Sequence, residues 1–561
     1  MSRTRKALIA GAAALSLLVA SCSSSAPTAG GTSGPAGSGT GTSGESTPST
    51  GAGSGSAVVV SLQDAVTVID PHQLATRSSD AIKNALYDPL LAQKFTPNSD
   101  GLLVGSMTDF EPRAAKSYKV DKTAEGGMQI TFTLRDDLKF PDGNAVTAED
   151  YKYTFDRAIQ GPGYVKSGLP FIGITSPDQI KVVDKSTLQI TSAYNTQLVL
   201  TYLTFPIYGA MEQSVMEQHK TSDDPWAMKY LSTNDTGSGP FVVSQFDPDQ
   251  QVTLKADGTY WNASKVGAPQ VIVKSIPDPN QRALLLRSGA IDVAGGLPPS
   301  TIKQLEDDPN VKIYKRPTTG VMMMGLNQKS GDLANADLRK AIMFAVPYDE
   351  LLSNVMQGLT VPAGGLVTST METHDKAIGA QYKTDIAQAE KYLQQSGLKD
   401  VHLKLSVQAS DESQQNAAVL IQESLKKIGI TLDIDQLSDA AMVQAESSKS
   451  LQMYLYGWYS WGEDPFYQMH FLATCDSPIN YEQYCNPELD KLVDQGVKTG
   501  DAATRNELSS KAQQILFDDV PAVPLWSLAR TVAAKSCITG IDRSNTAILG
   551  LASLTKPANC K

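Results

Sequence analysis

A stretch of aromatic and acidic residues in the last quarter of the chain has the composition of a ligand-binding surface. It runs from Tyr454 to Tyr467 and reads YLYGWYSWGEDPFY. Aromatic faces pack on apolar or flat parts of a ligand, and carboxylates pair with ligand cations. Core packing explains the tyrosines that open the stretch, but it does not readily explain tryptophans beside acids. We therefore predict ligand contacts at Trp458, Tyr459, Trp461, Glu463 and Asp464.

Motifs typical of enzymes and metal proteins are missing from the sequence. It contains no GxSxG nucleophile elbow, no HExxH zinc motif and no GxxxxGK[ST] phosphate loop. The five histidines lack metal-ligand spacing, and three consecutive residues, Met322 to Met324, point to alternating faces of a strand. Abundant carboxylate pairs leave a secreted glycosidase open on residues alone. We predict a binding protein with no catalytic residue, no cofactor and no metal.

The length and the net charge of the chain indicate its number of domains and exclude one class of partner. A chain of 561 residues is long enough for two or three domains, since single domains usually hold about 100–250 residues. The formal net charge is −11, which provides no basic field for a nucleic-acid backbone. We predict no nucleic-acid partner.

Periodicity predicts alternating strands and helices around these residues. Val58 to Leu62 and Gln129 to Leu134 read as strands, and Thr147 with Asp150 forms a capping box that opens a helix. A βαβ unit follows later: a strand from Val401 to Val407, a helix from Asp411 to Ile428, and a strand at 430–434. Such a unit implies a parallel sheet covered by helices, so the fold class is α/β.

The first residues read as an export signal. Arg3, Arg5 and Lys6 precede an apolar run of 14 residues, which is short for a membrane span and typical of a signal peptide. Small residues then precede Cys22, a pattern that resembles a bacterial lipobox. We expect a signal peptide at 1–21, lipidation of Cys22, and a flexible Gly/Ser/Thr tether at 22–56. The protein would then be anchored to the outer face of the cytoplasmic membrane.

The four remaining cysteines fit an oxidising compartment. An even number suggests two disulfides, and Cys475, Cys485, Cys537 and Cys560 allow three pairings. We favour the local pairs, Cys475 with Cys485 and Cys537 with Cys560. A zinc site is the rival interpretation, but no CxxC spacing supports it.

Several phrases occur in the order typical of one family. They are Ile69-Asp70-Pro71-His72, Leu86-Tyr87-Asp88-Pro89-Leu90, Phe132 to Gly143 with Thr147 to Asp150, Thr236 to Phe241 with Tyr260-Trp261, Arg287 to Val293, Leu338 to Ala341, Tyr456-Gly457-Trp458 with Asp464-Pro465, and Tyr484 to Asp490. In this order they resemble the extracellular solute-binding proteins of ABC transporters, family 5, the oligopeptide, dipeptide and nickel-binding group. The resemblance covers about residues 58–530.

The resemblance implies a two-lobed, periplasmic-binding-protein-like fold with an extra α+β domain inserted in the first lobe. Mapped onto this chain, lobe I is 57–95, 225–296 and 525–561. The inserted domain is 96–224, and lobe II is 297–524. A solute held in the cleft between the lobes stabilises the closed form only through higher affinity for closed than for open protein.

The resemblance also implies partners and a site. The partners are a small solute or peptide ligand, an ABC permease with separate ATPase subunits, and the membrane through the lipid on Cys22; we expect a monomer. Further ligand contacts are expected at Leu74, Met324 and Asn327.

One position departs from peptide-binding relatives. They carry an aspartate three residues after the tryptophan of Gly-Trp, and it pairs with the peptide α-amine; this chain has Trp461 there. Glu463 or Asp464 could supply the charge from a shifted place, or else the ligand has no free amine. We predict an ABC importer's solute receptor, most simply for peptides. An oligosaccharide receptor and a peptide-sensing signalling lipoprotein stay open as alternatives.

Overall fold

A computed structural model describes residues 55–73, 76–97, 103–371, 373–542 and 548–560 of the chain. Within these ranges the strands are β1 Val58–Leu62, β2 Leu91–Pro97, β3 Leu103–Pro112, β4 Ala115–Lys122, β5 Met128–Leu134, β6 Ile180–Asp184, β7 Thr187–Ser192, β8 Phe241–Asp247, β9 Gln251–Ala256, β10 Gln270–Ser275, β11 Val293–Gly295, β12 Val311–Leu326, β13 His402–Gln408, β14 Thr431–Leu437, β15 Met453–Trp458 and β16 Ala522–Lys535.

The α-helices of the same ranges vary from three to 18 residues. They are α1 Arg77–Leu86, α2 Ala148–Gln160, α3 Gly168–Phe171, α4 Gln197–Tyr202, α5 Gln213–His219, α6 Met228–Leu231, α7 Pro279–Ser288, α8 Pro299–Glu306, α9 Ala336–Ala345, α10 Tyr348–Glu350, α11 Lys376–Gly379, α12 Ile386–Ser396, α13 Glu412–Lys427, α14 Asp439–Ser447, α15 Pro465–Ala473, α16 Pro487–Lys498 and α17 Ala502–Asp519.

A mixed ten-stranded sheet is the centre of the fold. Its order is β14-β13-β15-β12-β16-β11-β1-β10-β9-β8. The two long strands β12 and β16 pair antiparallel along most of their length, with irregular register between Pro317 and Val321. They join one half of the sheet, which holds β13 to β15, to the other half, which holds β1 and β8 to β11.

A second, four-stranded antiparallel sheet has the order β4-β5-β7-β6. Its inward residues, such as Ile130 and Phe132, are fully buried in the same cluster as Phe466 and Leu472 of α15. Residues of this sheet all fall inside the predicted inserted domain. The exact domain boundaries stay a prediction.

Local sequence signals account for the elements around the site. The predicted βαβ unit is confirmed, because β13 and β14 pair in parallel on either side of α13. The predicted capping box is also present at α2, where the Thr147 amide donates to Asp150 at 2.8 Å. Met322 to Met324 are buried in β12, as expected for a core strand. Pattern and structure therefore agree where the segments are long and periodic.

A buried ion pair ties the start of the ordered chain to α2. Nη1 and Nη2 of Arg157 donate to the Asp70 carboxylate, at 3.0 and 2.7 Å, and both side chains are inaccessible to solvent. Next to them His72 Nε2 donates a hydrogen bond to the Ile207 carbonyl at 2.9 Å. Burial and the Arg157 charge lower the pKa of His72 to about 3, so it stays neutral. Asp70 and His72 therefore have structural partners.

Candidate functional site

Strand β15 delivers the aromatic segment to its place. β15 pairs antiparallel with β12, with Val321 opposite Trp458 and Met323 opposite Tyr456. Alternation places Tyr454, Tyr456 and Trp458 on one face of the sheet. The chain then leaves the sheet at residue 459 and enters α15 at Pro465. Residues 459–464 therefore form a short irregular connection at a strand end, where side chains can face a ligand.

Trp461 bridges to the region that contains the second sheet. Its ring meets Tyr164 edge to face, with centroids 5.6 Å apart, and Phe205 edge to face at 6.1 Å. Tyr164 and Phe205 both belong to the predicted inserted domain, whereas Trp461 belongs to predicted lobe II. Edge-to-face pairs at these distances are favourable beyond the area they bury. The three rings form one aromatic wall, which we call the Trp461 wall.

The two other aromatic candidates face different surroundings. Trp458 is half-buried and stacks on Phe471 of α15, with centroids 5.9 Å apart. Tyr459 lies below the guanidinium of Arg530, which is 4.8 Å from the ring centroid. A cation over an aromatic face at this distance is an attractive contact. The three predicted aromatic residues thus line a common segment, but they do not share one face.

Unsatisfied polar atoms concentrate along this segment. Trp458 Nε1, Ser460 Oγ and Glu463 Oε2 are buried and have no hydrogen-bond partner among the described residues. The hydroxyl of Tyr164, whose ring touches Trp461, is in the same condition. Buried polar groups are nearly always paired in folded proteins, and leaving one unpaired costs about 1–3 kcal/mol. Three of these atoms lie within residues 458–463 and the fourth is on a ring that touches Trp461, and a polar ligand bound along this segment would supply partners for them.

Glu463 is the acidic residue best suited to receive a ligand. It is half-buried between Gly462 and Asp464, and its backbone has φ of 48°, a conformation that non-glycine residues seldom adopt. Burial alone raises the pKa of Glu463 to about 8. A carboxyl group in this condition is mostly protonated at pH 7, and an incoming ammonium would stabilise its charged form.

Asp464 is already committed to the protein. Its Oδ1 caps α15 by accepting hydrogen bonds from the amides of Phe466 and Tyr467, at 2.8 and 3.2 Å. Its Oδ2 pairs with the guanidinium of Arg505. Because both oxygens have partners, this geometry favours Glu463 over Asp464 as a ligand acceptor.

The remaining predicted ligand contacts are placed as follows. Met324 is fully buried in the core beside β15. The Asn327 amide donates to the carbonyls of Leu451 and Lys449, at 2.8 and 3.2 Å, and its side-chain oxygen accepts from the Lys329 amide. These contacts account for both side chains without a ligand. Leu74 and the lipidation residue Cys22 lie outside the described residues.

Both local disulfides are formed. Cys475 is bonded to Cys485, and Cys537 is bonded to Cys560, which is the pairing that the sequence favoured. Across the described part of the chain no group of three or more histidine, cysteine or acidic residues is arranged to hold a metal ion.

Tyr164, Phe205 and Arg530 were missed by the sequence interpretation. They come from segments far from 458–464 in the chain, and only the fold brings them together with it. Tyr164 follows Gly161, Pro162 and Gly163, so its neighbours indicated a turn and gave no sign of a ligand contact.

A surface groove of about 660 Å³ lies apart from these residues. It runs between α4 and the junction of α16 with α17, and its lining includes Asn195, Gln197, Lys498 and Asp501. None of the predicted ligand-contact residues lines it. Its volume alone does not make it the ligand site.

The fold and the aromatic, acid-bearing segment at a strand end define a class: two-lobed proteins that capture a solute. Residues 109–479 match the family described as bacterial extracellular solute-binding proteins, family 5 Middle. This range is about two thirds of the chain. The chain therefore belongs to that family, and it is a solute-binding protein of an ABC importer. The family recognised in the sequence and the two-lobed α/β fold are both confirmed.

Individual relatives and solved structures that this chain resembles are also solute-binding proteins. The chain is 28% identical over 437 residues to the probable D,D-dipeptide-binding periplasmic protein DdpA of Escherichia coli, covering 77% of this chain and 82% of that one. It is 26% identical over 469 residues to the oligopeptide-binding protein OppA of Bacillus subtilis, covering 78% of this chain and 84% of that one. The Helicobacter pylori periplasmic binding protein DppA, solved with the peptide STSA, superposes with a TM-score of 0.77 at 22% identity, over 89% of this chain and 98% of that one.

The family is one of binding proteins outside the cytoplasm. Within the described ranges no helix is both long and apolar enough to cross a membrane.

Proposed function

We propose that this protein binds short peptides by their free α-amine, with Glu463 as the acceptor, and delivers them to an ABC permease. The observation that carries the proposal is the Glu463 carboxyl group, whose Oε2 is buried and has no partner in the described chain. The peptide-binding names of relatives that match over most of the chain support the ligand class.

The physical argument is one of paired charges in a site that excludes water. A buried, unpaired ammonium is costly, so a receptor for free amines needs a carboxylate at the point of contact. The resemblance to peptide-binding proteins implies an aspartate at the position of Trp461, and the acids that follow it in the sequence are Glu463 and Asp464. Both carboxylate oxygens of Asp464 already pair with Arg505 and the α15 amides. We therefore assign the contact with the ligand amine to Glu463.

The aromatic residues supply the rest of the binding surface. Trp458 and the Trp461 wall present rings that can cover the apolar parts of peptide side chains. Trp458 Nε1 and Ser460 Oγ can hydrogen-bond to backbone groups of the ligand. This combination of apolar walls and a few polar atoms is typical of sites that accept many side chains.

The finer parts of the assignment are also proposals. We infer that the protein is a monomer, is held to the membrane by a lipid on Cys22, and performs no catalysis. The proposed tether would give a high local concentration of receptor near the permease.

The test is thermal unfolding of the purified protein, refolded to strip bound ligand, with a pancreatic casein digest and with the same digest after N-acetylation. Ligand at about 100 times its Kd adds about 2.7 kcal/mol to the stability of the folded state. We expect the free-amine digest to raise the Tm and the acetylated digest to leave the Tm unchanged. Glu463→Gln should lose most of the shift.

Glu482→Gln is the matched control. Glu482 is a buried glutamate whose Oε2 is unpaired, like that of Glu463, and whose pKa burial raises to about 7, but its Oε1 accepts a hydrogen bond from the Tyr454 hydroxyl. We expect this variant to keep the peptide response. Equal responses to both digests, or none to either, would contradict the proposal, and we would then screen oligosaccharides and other amine-free solutes. If cells that lack a partner permease still respond to added peptide and the response depends on this protein, the signalling alternative would be favoured.

A further inference from the structure

The two long strands of the large sheet lose their register at one place. Between Pro317 and Val321, three residues of β12 lie opposite a single residue of β16, Leu528. Residues of β12 before this bulge pair with the part of β16 that contacts β11, and residues after it pair with β15. The bulge therefore lies where β12 passes from one half of the sheet to the other, and a bulge bends a strand.

The proposed ligand-binding connection, residues 459–464, begins beside this bulge. Trp458, the last residue of β15, lies opposite Val321. Gly320 approaches the same place so closely that an added Cβ would lie 2.8 Å from the Trp458 carbonyl oxygen and 3.1 Å from Cδ1 of Tyr459. A change of angle at the bulge must therefore disturb the start of the connection.

Residues 359–371, which we call the strap, pack against both sides of the bulge. At one end Leu359 is buried in a cluster with Leu286 of α7. At the other end Leu366 is buried in the same cluster as Phe466 of α15. The strap thus contacts the core beside β11 and the core next to the ligand-binding connection.

Hydrogen bonds fix the strap to the sheet and to α15. The Ser527 amide of β16 donates to the Val361 carbonyl at 2.9 Å. The side-chain amide of Gln468, which is fully buried in α15, donates to the Leu366 carbonyl. Because α15 begins at Pro465, directly after the connection, the strap is tied to the end of the connection as well as to β16.

Two threonines of the strap bind the bulge itself. The Thr370 hydroxyl donates to the Thr318 carbonyl at 2.8 Å, and the Thr368 hydroxyl donates to the Thr319 carbonyl at 3.1 Å. Buried carbonyl groups need such donors, and the irregular stretch of β12 receives them from side chains of the strap. These bonds hold the bulge in one arrangement.

We propose that the strap couples the ligand-binding connection to the bulge, with Thr370 as a positioning residue that fixes the bulge. A ligand that orders residues 459–464 then also restricts the bulge, and with it the angle between the two halves of the sheet. This inference goes beyond the proposed function, because it depends neither on Glu463 nor on a peptide as the ligand.

The experiment measures amide hydrogen exchange by mass spectrometry in the full-length protein, refolded to strip bound solute. The two reporter segments are 318–321 in the bulge and 466–468 in α15, whose amides donate to Asp464. We expect Thr370→Val to speed exchange about 5- to 20-fold in both segments, because the Thr318 carbonyl loses its donor and the strap loosens. Thr370→Ser keeps the hydroxyl and should stay within twofold of the parent protein.

Ser424→Ala is the matched control. Ser424 of α13 also donates from a buried hydroxyl to a backbone carbonyl of another helix, that of Ala345 at 2.6 Å. Exchange at both reporter segments should stay within twofold of the parent protein in this variant. Faster exchange in Thr370→Val at 318–321 alone would show a purely local contact and overturn the inference. Unchanged exchange at both segments, or an equal increase in Ser424→Ala, would overturn it too.

Discussion

At the scale of single residues, the proposed binding of a peptide amine depends on one carboxyl group with an unusual environment. Glu463 is acidic by type, but burial raises its pKa to about 8, so most of it is protonated in the ligand-free protein at pH 7. Asp464, its neighbour, is surrounded by the donors that Glu463 lacks. The two adjacent acids therefore differ in their hydrogen-bond partners, and this difference supports the proposed role of Glu463.

The first prediction concerns the pH dependence of stability. The Glu463 pKa is raised from 4.5 to about 8, so its contribution to stability is full below about pH 4.5 and is lost as the pH rises through 8. Glu463→Gln removes this loss. We expect the Tm of ligand-free Glu463→Gln, relative to the parent, to increase between pH 5 and pH 9. A difference that stays constant over this range would show that Glu463 is not buried as described.

The sequence alone could indicate candidate ligand-binding residues only where they are adjacent in the chain. The candidates Trp458, Tyr459, Trp461 and Glu463 stand out because an unusual composition fills a few adjacent positions, and their contact with a ligand stays a prediction. The choice between Glu463 and Asp464 could not be made from the sequence, because Arg505 lies 41 residues away. Tyr164 and Phe205 were not predictable, since their relation to Trp461 depends on how the two regions pack.

At the scale of elements, α15 holds residues 459–464, the proposed ligand-binding connection, in place. Asp464 caps its first turn, and Arg505 of α17 pairs with the cap and covers Phe466, with the guanidinium carbon 4.8 Å from the ring centroid. β15 fixes the other end of the segment through its pairing with β12. The irregular connection between them is therefore anchored at both sides.

The second prediction concerns this anchor. Asp464→Ala removes both the cap and the partner of a nearly buried arginine, and losing one member of a buried pair costs about 3–5 kcal/mol. We expect a loss of that size in the free energy of unfolding by urea. Asp501→Ala, which removes only the exposed cap of α17, should cost about 1 kcal/mol. Similar losses in both variants would contradict the structural role given to Asp464.

The strands and helices around the site were largely predictable from periodicity. The βαβ unit of β13, α13 and β14 has alternating strands, a helical face and a stop at Gly429, and each signal is local. The pairing of β12 with β16 was not predictable. It joins residues about 200 positions apart, and no local pattern records that separation.

At the scale of the whole molecule, a closure joins the last described segment to β1, near the start of the described residues. The Asp292 carboxylate accepts a hydrogen bond from the Val59 amide at 2.9 Å and forms ion pairs with Lys535 and Lys556. The disulfide between Cys537 and Cys560 holds the final segment next to β16. The last residues thereby stabilise the half of the large sheet that contains β1.

The third prediction concerns this closure. A disulfide stabilises mainly by restricting the unfolded chain, typically by about 2–4 kcal/mol, and more for a longer loop. Replacing Cys537 and Cys560 by serine should therefore lower the free energy of unfolding by about that amount. Replacing Cys475 and Cys485 should cost less, because 10 rather than 23 positions separate the pair. The opposite order, measured by urea unfolding, would show that loop length does not govern these bonds.

The most direct test of the central claim is proton release during peptide binding. At pH 7 the free Glu463 carboxyl group is mostly protonated and a peptide α-amine, with a pKa of about 8, is mostly charged. Forming an ion pair between them must release close to one proton. The measurement is isothermal titration calorimetry in two buffers of different ionisation enthalpy. We predict proton release on peptide binding to the parent protein and no proton release with Glu463→Gln. Peptide binding by the parent without proton release would contradict the assignment of the amine to Glu463.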